Sequence, residues 1–63
     1  MKAAALRDMS PHELREQLER DRQELFNLRF QAATQQLDNP RRMREVRKNI
    51  ARILTILGEQ EQS

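Results

Sequence analysis

The chain contains no cysteine, tryptophan or tyrosine, and it has a single glycine and a single histidine. Without cysteine, neither a disulfide framework nor a thiolate metal site can form, which suits a reducing cytosolic setting. His12 has no neighbours with which to bind a metal. No stretch approaches the roughly 18 apolar residues of a membrane span, and Met1 to Leu6 is too short and too weakly apolar for a signal peptide. We therefore expect a cytoplasmic protein with no metal, no cofactor and no membrane segment.

Residues that could support catalysis are also missing. The chain has no cysteine nucleophile, and one glycine cannot build a glycine-rich phosphate loop. No acid and base residues are predicted to converge in a concave site, and two helices leave no room for a ligand pocket of ordinary size. The sequence therefore predicts a protein that is not an enzyme and has no small-molecule substrate.

The charges that are present are unevenly distributed. At 63 residues the chain makes one domain at most, spanning 1–63, and its net charge is only +2. Residues 11–36 carry four cations against five anions, whereas residues 40–57 carry six cations against one anion. Because a local positive field is what attracts phosphate, this asymmetry is more informative than the total.

Two helix starts can be identified from local motifs. Ser10-Pro11-His12-Glu13 has the pattern of a capping box with proline at the first helical position. Asn39-Pro40 repeats the cap and the proline, and Pro40 disfavours a helical Asn39. With Gly58 as a stop, we predict an all-α chain with helices at 11–36 and 40–57, a turn at 37–39 and a fraying tail at 59–63. The first ten residues could add one helical turn.

Apolar residues recur at spacings of three and four in both predicted helices, as on one face of a helix. A connection this short makes the two helices antiparallel, so these seams should pack together as a hairpin. Asp21 interrupts the first seam, and we expect it to lie half-exposed at the open end of the hairpin. The two seams are Leu14, Leu18, Leu25, Leu28 and Ala32 in the first helix, and Met43, Val46, Ile50, Ile53 and Leu57 in the second.

A second apolar stripe follows the first helix, roughly 130° around it from the seam. It comprises Phe26, Phe30, Ala33 and Leu37 and holds the only two aromatic residues of the chain. A two-helix structure cannot cover both faces. The stripe could pack against the N-terminal segment through Leu6 and Met9, or it could dock against another macromolecule. His12 should face solvent in the capped first turn.

The back of the second predicted helix is almost entirely cationic. A solvated helix face usually mixes Glu with Lys at a spacing of four residues, whereas this one prefers Arg to Lys five to one. Arg offers a planar fork of donors that suits phosphate oxygens and stacks on bases. We therefore favour a nucleic-acid surface over a merely solvated face. The cations are Arg41, Arg42, Arg44, Arg47, Lys48 and Arg52.

Two blocks of sequence carry a family resemblance. The run from Glu24 to Thr34 with Gln36-Leu37, and the run from Arg44 to Ile53, closely resemble bacterial large-subunit ribosomal protein twenty-nine. The similarity extends over about residues 6–57. It implies an antiparallel helical hairpin bound to large-subunit ribosomal RNA near the nascent-chain exit tunnel. It also implies a structural role in translation, with ribosomal protein twenty-three as a neighbour and chaperones or targeting factors as visitors.

The resemblance assigns expected contacts to particular residues. Those implied to contact RNA or a neighbouring protein are Phe26, Arg29, Phe30, Gln31 and Gln36, to which the apolar stripe adds Leu37 as a protein contact. Those implied to contact phosphates are Arg44, Arg47, Lys48 and Arg52.

The chain departs from the family pattern at three places. Gln35 stands where the family usually has glycine, Leu54 where Lys or Tyr is common, and Gly58-Glu59-Gln60 where the tail is richer in Arg. Two rival functions remain. The chain could be a coiled-coil hairpin that pairs with itself or another helix, or an amphipathic membrane-surface helix. The last is least favoured, because the second helix lacks Trp and would have to give up its seam.

Overall fold

The computed structural model describes the backbone of residues 2–62 and the side chains of residues 2–60. Three helices follow in order: α1 (Ala3–Arg7), α2 (Pro11–Ala33) and α3 (Pro40–Gln62). The two long helices pack against each other, and α1 packs against α3. The result is a rod of 43 × 17 × 15 Å with no strand among residues 2–62. The all-α hairpin with one N-terminal helical turn is confirmed.

Local hydrogen bonds explain where both long helices begin. The Ser10 hydroxyl accepts from the Glu13 backbone N–H at 3.2 Å, and the Glu13 carboxylate accepts from the Ser10 N–H at 3.4 Å. This is the predicted capping box, with Pro11 at the first helical position. At α3, the Asn39 side-chain oxygen accepts from the Arg41 N–H at 3.2 Å. Both predicted starts are confirmed.

The end of α2 differs from the prediction. The helix ends at Ala33, three residues before the predicted end at Gln36. Gln35 takes a left-handed conformation with φ 60°, its N–H bonds to the Ala32 carbonyl, and the Gln36 N–H bonds to the Gln31 carbonyl at 2.8 Å. These two bonds form a Schellman motif, which satisfies the last carbonyls of a helix and turns the chain away from its axis. The connection therefore spans 34–39, not 37–39.

The end of α3 also differs. Gly58 does not stop the helix, and residues 59–62 are helical where fraying was expected; Ser63 lies outside the described residues. A glycine inside a helix costs about 1 kcal/mol relative to alanine, and packing around it can outweigh that cost. Ile56 and Leu57 are buried beside Leu6 of α1, and Arg7 bonds to Glu59 at 2.7 Å. The short α1 thus holds the last turns of α3 in place.

The core lies at the end of the rod away from the 34–39 connection. The seam of α2 follows this gradient: Leu14 and Leu18 are buried, Leu25 and Leu28 are half-buried and Ala32 is exposed. The end near the connection therefore has little core of its own. The central cluster consists of Leu6, Leu14, Leu18, Ile53, Ile56 and Leu57, with Met9 and Ile50 alongside.

Asp21 is not half-exposed as predicted. Only 5% of it is exposed, and it accepts hydrogen bonds from Gln17 at 2.9 Å and from the Asn49 side-chain amide of α3. The prediction placed α3 near its end opposite Asp21, whereas α3 continues well beyond that point and covers it. Asn49, which is not part of the predicted apolar seam, is buried, whereas Ile50 of that seam is only half-buried.

Candidate nucleic-acid interface

Three cations of α3 form a continuous surface, which we call the cationic ridge: Arg44, Arg47 and Lys48. All three are exposed, and with Ala51 they line one shallow groove. Within residues 2–60, the structure gives the ridge side chains no ion pair or hydrogen bond. Guanidinium and ammonium groups in this state keep all their donors for an external anion.

The ridge is centred on the side of α3 opposite α2, with Lys48 at its edge bordering the groove between the two helices. At about 100° per residue, its mean direction lies roughly 180° from that of the buried α3 residues, so α2 lies on the opposite side of α3. Glu45 is the only anion between Pro40 and Leu57, and it bonds to Arg42 at 3.6 Å, not to the ridge. The ridge therefore presents an uncompensated positive field to solvent.

Arg42 lies on a different side of α3. Its guanidinium donates to the Glu24 carboxylate of α2, through Nε and through Nη2 at 2.9 Å. The hydrogen bond from Arg42 lowers the pKa of Glu24, and the one to Glu24 raises the pKa of Arg42. Arg42 thus joins the two helices, and its predicted RNA contact would compete with this ion pair.

Arg41 and Arg52 flank the ridge. Arg41 is exposed in the first turn of α3, where its backbone N–H is capped by Asn39. Arg52 is exposed about one turn beyond Lys48, and these two side chains border a groove of about 300 Å³ between α2 and α3. Arg41 and Arg52 therefore extend the positive surface along the helix.

The residues near the end of α2 that were predicted to contact RNA lie at the end of the rod with the 34–39 connection, where α3 begins. Arg29, Gln31 and Gln36 are all exposed. The backbone carbonyl of Gln31 accepts from Thr34 Oγ1 at 3.1 Å and from the Gln36 N–H, so this turn is well defined. The structure therefore brings this group and the start of the cationic helix together around one connection.

Phe26 and Phe30 remain uncovered, at 67% and 64% exposure. The prediction that they could pack against the N-terminal segment is wrong, because Leu6 is fully buried in the core at the other end of the rod, with Met9 beside it. Leu37 is half-buried. Two exposed aromatics one turn apart form an apolar patch of the kind that marks an interaction surface.

His12 is exposed as predicted, beside Glu16 at 2.8 Å.

Three contacts between elements were not predicted from the sequence: Asp21 with Asn49, Glu24 with Arg42, and Arg7 with Glu59. Each joins residues far apart in the chain, so helical periodicity carries no signal for it. Only the polar interruption of an apolar seam at Asp21 could have suggested a buried partner. No group of three metal-ligating side chains occurs among the described residues.

Comparison with known proteins now decides the family. The model of the ribosomal L29 protein family matches residues 4–60. The chain belongs to this family. It is 57% identical over 61 residues to the large ribosomal subunit protein uL29 of Moorella thermoacetica, covering 97% of this chain and 91% of the relative. The same protein of Caldanaerobacter subterraneus is 61% identical over 97% and 92% of the two chains, and that of Natranaerobius thermophilus is 54% identical over 97% and 94%.

Membership makes the chain a ribosomal protein, a structural component of the translation machinery and not an enzyme. It is a ribosome-bound protein of the cytoplasm. Within the described residues, no helix is long and apolar enough to cross a membrane. As a ribosomal protein, the chain is a component of a ribonucleoprotein particle.

Proposed function

We propose that this chain binds ribosomal RNA in the large ribosomal subunit through the cationic ridge, with Arg41 and Arg52 extending the contact. The observation that carries the proposal is that the side chains of the ridge are exposed and have no partner within the described part of the protein. Arg44, Arg47 and Lys48 are exposed and lack intramolecular ion pairs among residues 2–60, and their mean direction on α3 lies opposite α2. A solvated face would be mixed in charge, whereas this one is built for a polyanion.

The second half of the proposal concerns the end of the rod near the connection. There the chain has little core of its own, and it exposes Phe26 and Phe30 with Arg29 between them. We propose that this apolar patch packs against a neighbouring component of the subunit, while Arg29, Gln31 and Gln36 bond to RNA beside it. Burying two phenylalanines would add several kcal/mol of apolar contact, at about 1.5–3 kcal/mol each.

The proposed location rests on the resemblance carried by residues 24–37 and 44–53. It supports a position on the subunit surface near the nascent-chain exit tunnel, with ribosomal protein twenty-three as the neighbour. Chaperones or targeting factors would then reach the chain from the solvent side. The mechanism is positional: a rigid hairpin holds its cations at fixed spacing, so RNA segments that contact them are held at that spacing too.

The test is binding to purified large-subunit ribosomal RNA across a salt titration. Arg44→Glu/Arg47→Glu/Lys48→Glu should keep its helicity, because all three side chains are exposed, and should lose most of its affinity. If each cation contacts a phosphate, the slope of log affinity against log salt should fall by about three.

The matched control reverses three exposed cations elsewhere, Lys2→Glu/Arg20→Glu/Arg22→Glu, with the same change in net charge. It should bind far better than the ridge variant. Equal losses in the two variants would show that only net charge matters and would contradict a specific RNA face. Salt-independent recovery of the chain in a nuclease-resistant complex would instead favour a protein–protein hairpin.

A further inference from the structure

A buried polar contact links the middle of α2 to the middle of α3. The Asn49 amide donates to one oxygen of Asp21, and Gln17 donates to the other at 2.9 Å. Asp21 and Asn49 are 5% and 6% exposed, and they are the only buried polar residues among those described. An ionised carboxylate left without donors in such a place would be costly. Gln17 lies on α2 itself, so α3 must meet α2 where Asn49 reaches Asp21.

The apolar residues of α3 by themselves favour a different rotation of the helix. Their mean direction on a wheel of about 100° per residue differs from that of the residues actually buried by roughly 50°. The apolar seam centres on Ile50, whereas the structure turns α3 so that Asn49 faces α2 and Ile50 is only half-buried. The residues actually buried on α3 are Val46, Asn49, Ile53, Ile56 and Leu57.

This rotation has consequences on the outside of α3. It sets the mean direction of the cationic ridge opposite α2 and brings Arg42 round to Glu24. If α3 were instead rotated about its axis so that Ile50 faced α2, the ridge would turn by roughly 50° around α3, and Arg42 would move away from Glu24. The direction in which the cations face thus depends on which residue of α3 meets Asp21.

We propose that Asp21 and Asn49 are positioning residues that set the rotation of α3 and so aim the cationic ridge at the RNA. The aiming role rests on the RNA-binding function proposed above, whereas the rotation itself does not. A single buried polar pair can select one arrangement among several that an apolar seam would allow, as an asparagine does in a coiled-coil interface. Gln17 completes the arrangement by holding the second oxygen of Asp21.

Two variants separate positioning from stability. Asp21→Leu fills the interruption in the α2 seam with an apolar side chain and leaves Asn49 without its acceptor. The hairpin should keep its helicity while α3 rotates Ile50 inwards and Asn49 outwards. Asp21→Asn/Asn49→Asp exchanges the partners and keeps the net charge. It retains both hydrogen bonds, because the amide then at position 21 can accept from Gln17 and donate to the carboxylate then at position 49. The second oxygen of that carboxylate takes the place of Asn49 Oδ1, which is buried without a partner, so this variant should be less stable than the wild type while keeping its rotation.

Rotation is measured by nuclear magnetic resonance with a soluble paramagnetic agent. In Asp21→Leu, relaxation of the Asn49 side-chain amide should increase and that of the Ile50 methyl groups should decrease. Affinity for purified large-subunit ribosomal RNA at fixed salt should fall about tenfold, even though the variant is one unit more positive. In the exchange variant, the side-chain amide then at position 21 and the Ile50 methyl groups should be as protected from the agent as the Asn49 amide and the Ile50 methyl groups of the wild type, and the affinity for the RNA should be that of the wild type.

The outcomes are distinguishable. An unchanged relaxation pattern in Asp21→Leu overturns the proposal, and so does a rotated α3 that binds RNA with wild-type affinity. Failure of the exchange variant to restore the wild-type pattern also overturns it. Should Asp21→Leu lose its helicity, Asp21→Ala carries the same test. If the wild-type chain itself does not bind the RNA, the proposed function fails, while the relaxation data still decide whether the pair sets the rotation.

Discussion

Arg42 at the start of α3 donates two hydrogen bonds to Glu24 in the second half of α2, and this ion pair joins the helices where their apolar packing thins out. Towards the connection, Leu25 and Leu28 are only half-buried. The pair therefore stabilises the part of the hairpin that carries the candidate RNA and protein contacts. It also gives one of the six α3 cations a structural role.

The first prediction concerns the stability that the Arg42–Glu24 ion pair loses at low pH. Because Arg42 lowers the pKa of Glu24, the pair contributes stability above about pH 4.5, the ordinary pKa of glutamate, and loses it as the pH falls through the lower pKa of the folded state. Glu24→Gln should lower the free energy of unfolding by roughly 0.5 kcal/mol at pH 7, a small loss because both side chains are partly exposed. It should change nothing at pH 2, where Glu24 is protonated and the ion pair is already lost. Urea denaturation across this pH range measures the difference.

The control for Glu24 is Glu19→Gln, which removes an anion that bonds only within α2, to Arg22 at 3.5 Å. It should change the stability less at every pH. If both variants show the same pH profile, the contact between the helices contributes nothing specific.

The second prediction concerns the turn. Gln35 has φ 60°, a conformation that costs a side chain about 1–2 kcal/mol and glycine almost nothing. Allowing for the greater freedom of glycine in the unfolded chain, Gln35→Gly should raise the free energy of unfolding by about 0.5–1 kcal/mol. Gln36→Gly, one residue later and without positive φ, should lower it. Thermal unfolding of the two variants measures the difference. A more stable Gln36→Gly and a less stable Gln35→Gly would contradict the Schellman turn.

The third prediction concerns α1. Leu6 is fully buried against Ile56 and Leu57, so Leu6→Ala should destabilise the protein by about 2–5 kcal/mol. Hydrogen exchange should accelerate first at the end of α3, because α1 is what covers it. Leu54→Ala, at a site 47% exposed, should change the stability by less than about 0.5 kcal/mol. Unchanged exchange at Ile56 and Leu57 in the Leu6 variant would show that α3 holds its last turns without α1.

The fourth prediction concerns the exposed phenylalanines. Phe26→Ala/Phe30→Ala should leave the stability of the free protein within about 0.5 kcal/mol of the wild type, since neither side chain packs in the fold. Incorporation into large subunits, measured by competition with wild-type chain, should fall more than tenfold. Leu54→Ala is again the matched control. Normal incorporation of the double variant would remove the apolar patch from the proposed interface.

Local sequence accounted for the helices and for most of the candidate site. The capping box at Ser10, the cap at Asn39 and the two prolines fixed where the long helices start, because each acts through hydrogen bonds within a few residues. Periodicity likewise indicated which faces are apolar and which is cationic. These features depend on short-range geometry, which the order of residues specifies directly.

The left-handed turn at Gln35 ended α2 early through hydrogen bonds within residues 31–36, a local feature that the helical pattern did not indicate. The end of α3 and the rotation of the helices were decided only by tertiary structure. Packing of Leu6 and the Arg7–Glu59 bond carried α3 past Gly58. Asp21 drew Asn49 inwards and turned α3 by roughly 50° from its apolar seam. The sequence by itself therefore determined a helical hairpin with one cationic face. Contacts between residues far apart in the chain decided where that face points, because burying a carboxylate requires its donors to reach it.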